Sequence, residues 1–190
     1  MLAKEDLFYI EQVSQGNTEA FSKLVERYKD KAYTLALRVV RNQEDAEEVA
    51  QDAFLKAFNG LKNFKKEASF STWLYRIVYN TALTKIKKKR LVTSEINDEH
   101  FNYSSGSTFE SMEGLVQEDR SNFVKLALSE LNEEDALLVN LYYTHEKDMH
   151  EIAEITDLTH VNVRVKLSRI RGKLESIFTR LLKTELKDIV

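Results

Sequence analysis

DAEEVAQDAFLKAFNGLKNFKKEASFSTWLYRIVYNTALTKIKKKR, residues 45–90, holds a helix with an acidic outer face, then an aromatic segment, then a run of bases. Ala46, Val49, Ala50, Ala53, Phe54, Ala57 and Phe58 recur at three- and four-residue steps, so they share one face of a helix over 45–58. Glu47, Glu48, Gln51, Asp52, Leu55 and Lys56 then point outward, which puts an apolar side chain near the centre of an acidic face. From Asn63 aromatics and bases interleave: Phe64, Lys65, Lys66, Phe70, Trp73, Tyr75, Arg76 and Tyr79, closing on Lys85, Lys87, Lys88, Lys89 and Arg90. Flat rings beside positive charge suit unpaired bases, each of which offers a π face and a phosphate. Core packing accounts for a single ring equally well, and terminal lysines also complement a helix C-terminus. Leu74, Ile77, Val78 and Ala82 predict the buried stripe of a helix from Ser71 or Thr72, with Thr72 as candidate N-cap and Trp73, Arg76 and Asn80 on the adjoining face.

Upstream, residues 6–15 predict a short helix stopped at Gly16, with Asn17 or Thr18 capping the next. Phe21, Leu24, Val25, Tyr28, Ala32, Leu35, Ala36 and Val39 hold one face for five turns and mark a core stripe. Asn42, three residues before Asp45, caps the acidic helix, and these helices make a compact bundle. Downstream, residues 91–120 lose periodicity and gain serine, asparagine and acid, the composition of a flexible linker, although Phe101, Tyr103, Phe109 and Leu115 are more than a passive tether needs.

A second helical unit follows over 121–190. Phe123, Leu126, Ala127 and Leu131 give one stripe and Leu137, Leu138, Leu141 and Tyr142 another, with Asn132 and Asp135 as a cap between them. Asp148 and Glu151 predict a capping box for a short helix carrying Ile152, Ala153 and Ile155 inward. After a turn at Asp157-Leu158, Thr159 caps a long helix from His160, the arrangement of a helix-turn-helix whose second helix enters the major groove. Arg164, Lys166, Arg169, Arg171 and Lys173 share that helix with no acid between His160 and Leu174. Thr159, His160, Asn162, Arg164 and Lys166 are placed to reach base edges or nearby phosphates; Arg169, Arg171 and Lys173 lie further along and suit backbone contacts. The fold expected is therefore all-α: two small helical domains, 1–90 and 121–190, joined by the acidic linker 91–120.

Composition narrows the function. The net charge of −3 over 190 residues conceals 17 basic against 12 acidic side chains in 1–90, one against seven in 91–120, and ten against 12 in 121–190. With no cysteine there is no disulfide or thiolate metal site. The four histidines, His100, His145, His150 and His160, form no i, i+4 pair of the kind zinc uses, so neither metal nor cofactor is expected. No signal-like apolar N-terminus or membrane-length apolar run is present, which predicts a cytoplasmic protein without membrane insertion.

The segment from Asp45 to Phe58, followed by Phe70-Ser71-Thr72-Trp73-Leu74-Tyr75-Arg76-Ile77 and Asn80-Thr81-Ala82-Leu83, resembles the second region of bacterial extracytoplasmic-function sigma factors. Leu141-Tyr142-Tyr143, Glu151 to Ile155 and Thr159 to Leu174 are similar to the fourth region of that family, so the resemblance covers about 6–90 and 121–178 in family order. Three departures stand out: Asn132-Glu133 where prolines are frequent, Lys147 where an apolar residue is common, and Asp157 where a glycine usually makes the turn. Asp157 must accept a left-handed conformation or alter the turn.

The resemblance implies a dissociable promoter-specificity subunit of RNA polymerase. Asp45, Glu48, Gln51, Asp52 and Leu55 match the positions that dock on the clamp helices of the largest core subunit. Asn59, Asn63, Phe64, Lys65, Lys66, Phe70, Trp73 and Arg76 fall where the family captures and opens the minus-ten element. Thr159, His160, Asn162, Arg164, Lys166 and Arg169 fall where it reads the minus-thirty-five element. It also implies an anti-sigma factor, often membrane-bound, that would hold the protein near the membrane, and no catalytic residue of the chain's own. Two other classes fit less of the chain. A stand-alone helix-turn-helix regulator has no use for the acidic face at Asp45. A metal-dependent nuclease would have only Glu47, Glu48 and Asp52 to work with.

Overall fold

The computed structural model describes residues 4–94, 124 and 126–188, and they are helical, with no strand among them. The linker beyond Ser94, with Phe101, Tyr103, Phe109 and Leu115, lies outside the described residues, as does Phe123. Four helices build the first unit: α1 (Lys4–Ser14), α2 (Ala20–Val40), α3 (Gln43–Gly60) and α4 (Phe70–Ser94).

Gly16 ends α1 at φ 98°, a conformation that costs glycine little. Asp6 on α1 is buried and accepts hydrogen bonds from Arg27 (2.6 Å) and the Tyr28 hydroxyl (2.6 Å), tying α1 to α2. The α2–α3 corner is made by Arg41, left-handed at φ 53°, and by Asn42, whose side chain accepts from the Asp45 N–H at 2.8 Å. The predicted stripe of α2 is buried at Leu24, Tyr28, Ala32, Leu35, Ala36 and Val39. It faces Ala46, Val49, Ala53 and Ala57 of α3, where small side chains let the helix backbones approach closely.

Helix α4 departs from expectation at both ends. Its cap is Ser69 rather than Thr72: the Ser69 Oγ accepts from the Thr72 N–H at 3.1 Å, so the helix opens at Phe70. At the far end it runs four residues past 90, into the predicted linker.

The second unit comprises α5 (Glu133–Val139), a π-helical turn over Asn140–Thr144, α6 (Met149–Thr156) and α7 (His160–Asp188). Asn132 caps α5 through the Asp135 N–H (2.8 Å), and Asp148 with Glu151 closes the capping box of α6. Leu126 is exposed, against the predicted stripe, whereas Ala127 and Leu131 are buried. Leu137, Leu138, Leu141, Ile152, Ile155, Val163, Leu167 and Ile170 form the core. Asp157 takes the left-handed conformation (φ 60°), and the Thr159 hydroxyl accepts from the Asn162 N–H at 3.2 Å to start α7.

The two units share one continuous apolar core, with α6 packed on α4 and α5 on α2. The π-helical turn prepares this contact. After it, Glu146 is left-handed (φ 52°) and the Lys147 N–H donates to the Leu141 carbonyl (2.9 Å), which brings Lys147 back beneath the turn.

Candidate nucleic-acid interface and docking face

The acidic face of α3 presents Glu47, Glu48, Gln51 and Asp52 to solvent, with Leu55 at 63 % exposure among them. An isolated exposed leucine is ordinary; one centred on a charged helix face is a candidate contact for another protein. Asp45 sits differently. Its carboxylate pairs with Lys89 (2.8 Å) and Lys85 (3.6 Å) of α4, and the hydrogen bond from Lys89 holds its pKa below the ordinary carboxylate range, outweighing partial burial. Lys85 also pairs with Glu48 at 2.5 Å. The basic end of α4 is thus partly spent on α3, and Asp45 braces the two helices.

Beyond α3, a 3-10 turn over Leu61–Asn63 leads into the loop before α4. Asn59, Asn63, Lys65, Lys66 and Arg76 are exposed around half-buried Phe64 and Trp73. Trp73 lies over Gly60, where an added Cβ would stand 3.5 Å from the ring, and its centroid is 5.0 Å from that of Phe64. Phe70 differs from the other two rings. At 1 % exposure it packs against Tyr28, Phe64 and Trp73, so it supports the platform from beneath and offers no face to a base. The reason is the cap at Ser69, which makes Phe70 the first helical residue and turns it inward with Leu74.

On α7, Asn162, Arg164 and Arg169 are exposed, and Thr159 is exposed at the cap. His160 stacks on His150 of α6, centroids 4.1 Å apart and planes within 18°. Lys166 is drawn sideways into an ion pair with Glu134 at 2.8 Å. The Arg171 Nε donates to the Tyr143 hydroxyl (3.3 Å), and its guanidinium lies over the Tyr142 ring. Lys173 pairs with the buried Asp135. Arg171 and Lys173 therefore anchor α7 to its own domain, leaving Asn162, Arg164 and Arg169 as the outward polar set.

Val161 and Val165 complete that face, 65 % and 42 % exposed one turn apart. Sequence reasoning passed over them, yet the signal was present: both fall off the Val163–Leu167–Ile170 stripe of a helix that is otherwise basic outside. In a major groove such side chains meet thymine methyl groups. Among the described residues no three His, Asp or Glu side chains are grouped to hold a metal ion, and no helix is long and apolar enough to cross a membrane.

Residues 24–92 match the family model described as Sigma-70 region 2, and residues 124–174 match Sigma-70, region 4. The ECF RNA polymerase sigma factor SigW of Bacillus subtilis is 32% identical over 174 residues, covering 87% of this chain and 92% of SigW. The ECF RNA polymerase sigma-E factor of Escherichia coli K12 is 30% identical over 178 residues, 90% of this chain and 93% of the relative. The RNA polymerase sigma-H factor of Pseudomonas aeruginosa is 29% identical over 191 residues, 96% and 99% of the two chains. Among solved structures, the sigma factor RpoE in complex with the anti-sigma factor NepR from Bartonella quintana shares the fold at TM-score 0.70 and 18% identity, over 84% of this chain and 96% of that one. CnrH in complex with the cytosolic domain of CnrY does so at TM-score 0.64 and 21% identity, over 93% and 99%.

Proposed function

The chain belongs to the extracytoplasmic-function sigma factors of the sigma-70 family, and from that premise we propose how its surfaces divide the work of promoter-specific initiation. As a sigma factor it binds core RNA polymerase and directs it to promoters. Glu48, Gln51, Asp52 and Leu55 on the outer face of α3 dock on the clamp helices of the largest core subunit, with Asp45 bracing that face through Lys89. Asn59, Asn63, Lys65, Lys66 and Arg76, with the edges of Phe64 and Trp73, capture unpaired bases of the minus-ten element. Arg and Lys draw the phosphates while the rings stack. Asn162, Arg164 and Arg169 meet the minus-thirty-five duplex, His160 and Lys166 flank it, and Val161 and Val165 supply apolar contacts.

The observation that carries this reading is the coexistence, in one chain, of an acidic face centred on an exposed leucine and a helix-turn-helix whose second helix carries no acid from His160 to Leu174. A DNA-binding regulator acting alone requires only the second. The chemistry of RNA synthesis belongs to the polymerase; this chain contributes recognition and part of the energy of strand opening. An anti-sigma factor is the expected regulatory partner. The chain's place is the cytoplasm, near the membrane when such a partner is anchored there.

Run-off transcription tests the reading. Core polymerase supplemented with the protein should initiate on a discrete set of fragments from its own genome, and Arg164→Ala should cut that transcript at least fivefold. Initiation at the same sites without the protein, or none with it, would contradict it.

A further inference from the structure

Two histidines from different helices meet on the surface of the helix-turn-helix. His150 belongs to α6, and His160 is the first residue of α7. Their rings stack with centroids 4.1 Å apart and planes within 18° of parallel. The backbone behind each ring is fixed. The His150 N–H donates to the Asp148 carboxylate at 2.8 Å inside the capping box of α6, and Thr159 caps α7 just ahead of His160. Ile152 and Ile155 of α6 are buried with Val163 and Leu167 of α7, which locks the two helices at their crossing. His150 stays exposed, and His160 is half-buried.

Stability does not account for this pair. Each imidazole keeps a polar edge toward solvent, so the stack removes little apolar surface from water. What it fixes is direction. A histidine at an exposed helix start has several staggered rotamers; laid flat against a second ring it keeps one, and its nitrogen-bearing edge then faces one way. In a helix-turn-helix the first residues of the second helix are those that reach base edges. An imidazole carries an N–H donor, and every purine presents N7 as an acceptor in the major groove. Ordering the ring before DNA arrives removes an entropy cost from binding.

We infer that His150 is a positioning residue of the upstream reader: it stacks on His160 and aims the His160 N–H at N7 of one purine in the minus-thirty-five element. This rests on the function proposed above, and it gives a role in sequence reading to a side chain of the first helix of the motif. His150 acts through His160 and needs no DNA contact of its own. The requirement is a flat ring, so phenylalanine can replace His150, whereas leucine, which keeps the bulk and loses the plane, cannot.

Promoter complexes of core polymerase with the full chain test this, on a promoter in which each upstream purine in turn is replaced by its 7-deaza analogue, which exchanges N7 for a C–H. At one purine the unaltered protein should lose about fivefold in affinity, the worth of one hydrogen bond. His160→Ala should be indifferent to that replacement, and so should His150→Ala and His150→Leu, while His150→Phe keeps the response. The double variant His150→Ala/His160→Ala should bind no worse than His160→Ala alone, because the two residues act as one unit. With four histidines in the chain, ring-proton NMR follows each one in the free protein. His150→Ala should move the His160 signals downfield, and His150→Phe should leave them shielded. Both side chains lie at the surface, so circular dichroism should be unchanged throughout. A His150→Ala protein that keeps the deaza response, a His150→Phe protein that loses it, losses that add in the double variant, or His160 signals indifferent to His150→Ala would each overturn the positioning role. So would the lack of a response at any purine in the unaltered protein. Those outcomes leave the sigma-factor reading standing; an unaltered chain that forms no promoter complex overturns that reading and this role together.

Discussion

Trp73 and Phe70 sit three residues apart in sequence and play different parts. Trp73 rests on Gly60 with one side half open, so Trp73→Leu, which retains apolar cover, should lower the rate of promoter opening about tenfold while closed-complex affinity moves less than twofold. Equal losses in both would make Trp73 a packing residue. The sequence could not separate the two rings, because their roles depend on which hydroxyl caps α4. Ser69 and Thr72 are both good caps, and only the packing of Phe70 on Tyr28 favours the earlier start. Val161 and Val165 make a sharper residue-scale claim. Replacing thymines of the upstream element one at a time by deoxyuridine removes only a methyl group, and at one or two positions this should weaken binding about threefold to tenfold. Val161→Ser/Val165→Ser should be indifferent to the same replacement. Uniform tolerance of deoxyuridine by the unaltered protein would show that the valines touch no methyl.

At the scale of elements, four caps were legible, and two caps and the irregular backbone were not: α4 is capped by Ser69 instead of Thr72, and α2 begins after Glu19, whose side chain makes no capping bond, instead of being capped by Asn17 or Thr18. Asn42, Asn132, Asp148 with Glu151, and Thr159 all cap as their spacing predicts, because a cap is a local hydrogen bond between residues two or three apart. The π-helical turn at Asn140–Thr144 follows no such local rule. It carries His145 into the seam between the units, 4.9 Å from the Tyr75 ring, with neither ring nitrogen hydrogen-bonded among the described residues. Burial first, then the charges of Lys31 and Lys147, pushes the His145 pKa down from 6.5 to about 4. Between those values the unfolded chain binds a proton that the folded chain refuses, so stability rises with pH across that window and is complete above about 6.5. The unaltered protein should lose roughly 2 kcal/mol between pH 7 and pH 5. His145→Gln should flatten that part of the urea midpoint profile. A slope identical in both proteins would place the proton uptake elsewhere.

On the proposed reading the whole molecule combines two readers and one docking face, and the division into two helical units was written in the composition: a basic first half, an acidic connection, and a second half whose bases gather on one helix. How the halves meet was not written there. That contact joins residues 75 to 82 positions apart through hydroxyls, an ammonium and a carboxylate, none of which carries a periodic signal. The face proposed for docking was partly legible as a surface. Its outward residues follow from helical period alone, but the engagement of Asp45 by Lys89 depends on where the end of α4 lies. This bears on the choice of variant: reversing Asp45 would unsettle the α3–α4 contact, whereas Asp52 and Leu55 face solvent. The most direct test is therefore co-elution with bacterial core RNA polymerase on a sizing column, comparing the unaltered chain with Asp52→Arg/Leu55→Arg. The account predicts that the unaltered chain travels with the polymerase and that the variant, folded by circular dichroism, elutes alone. A variant that co-elutes as fully as the unaltered chain, or an unaltered chain that never joins a core preparation active with another sigma factor, would contradict it.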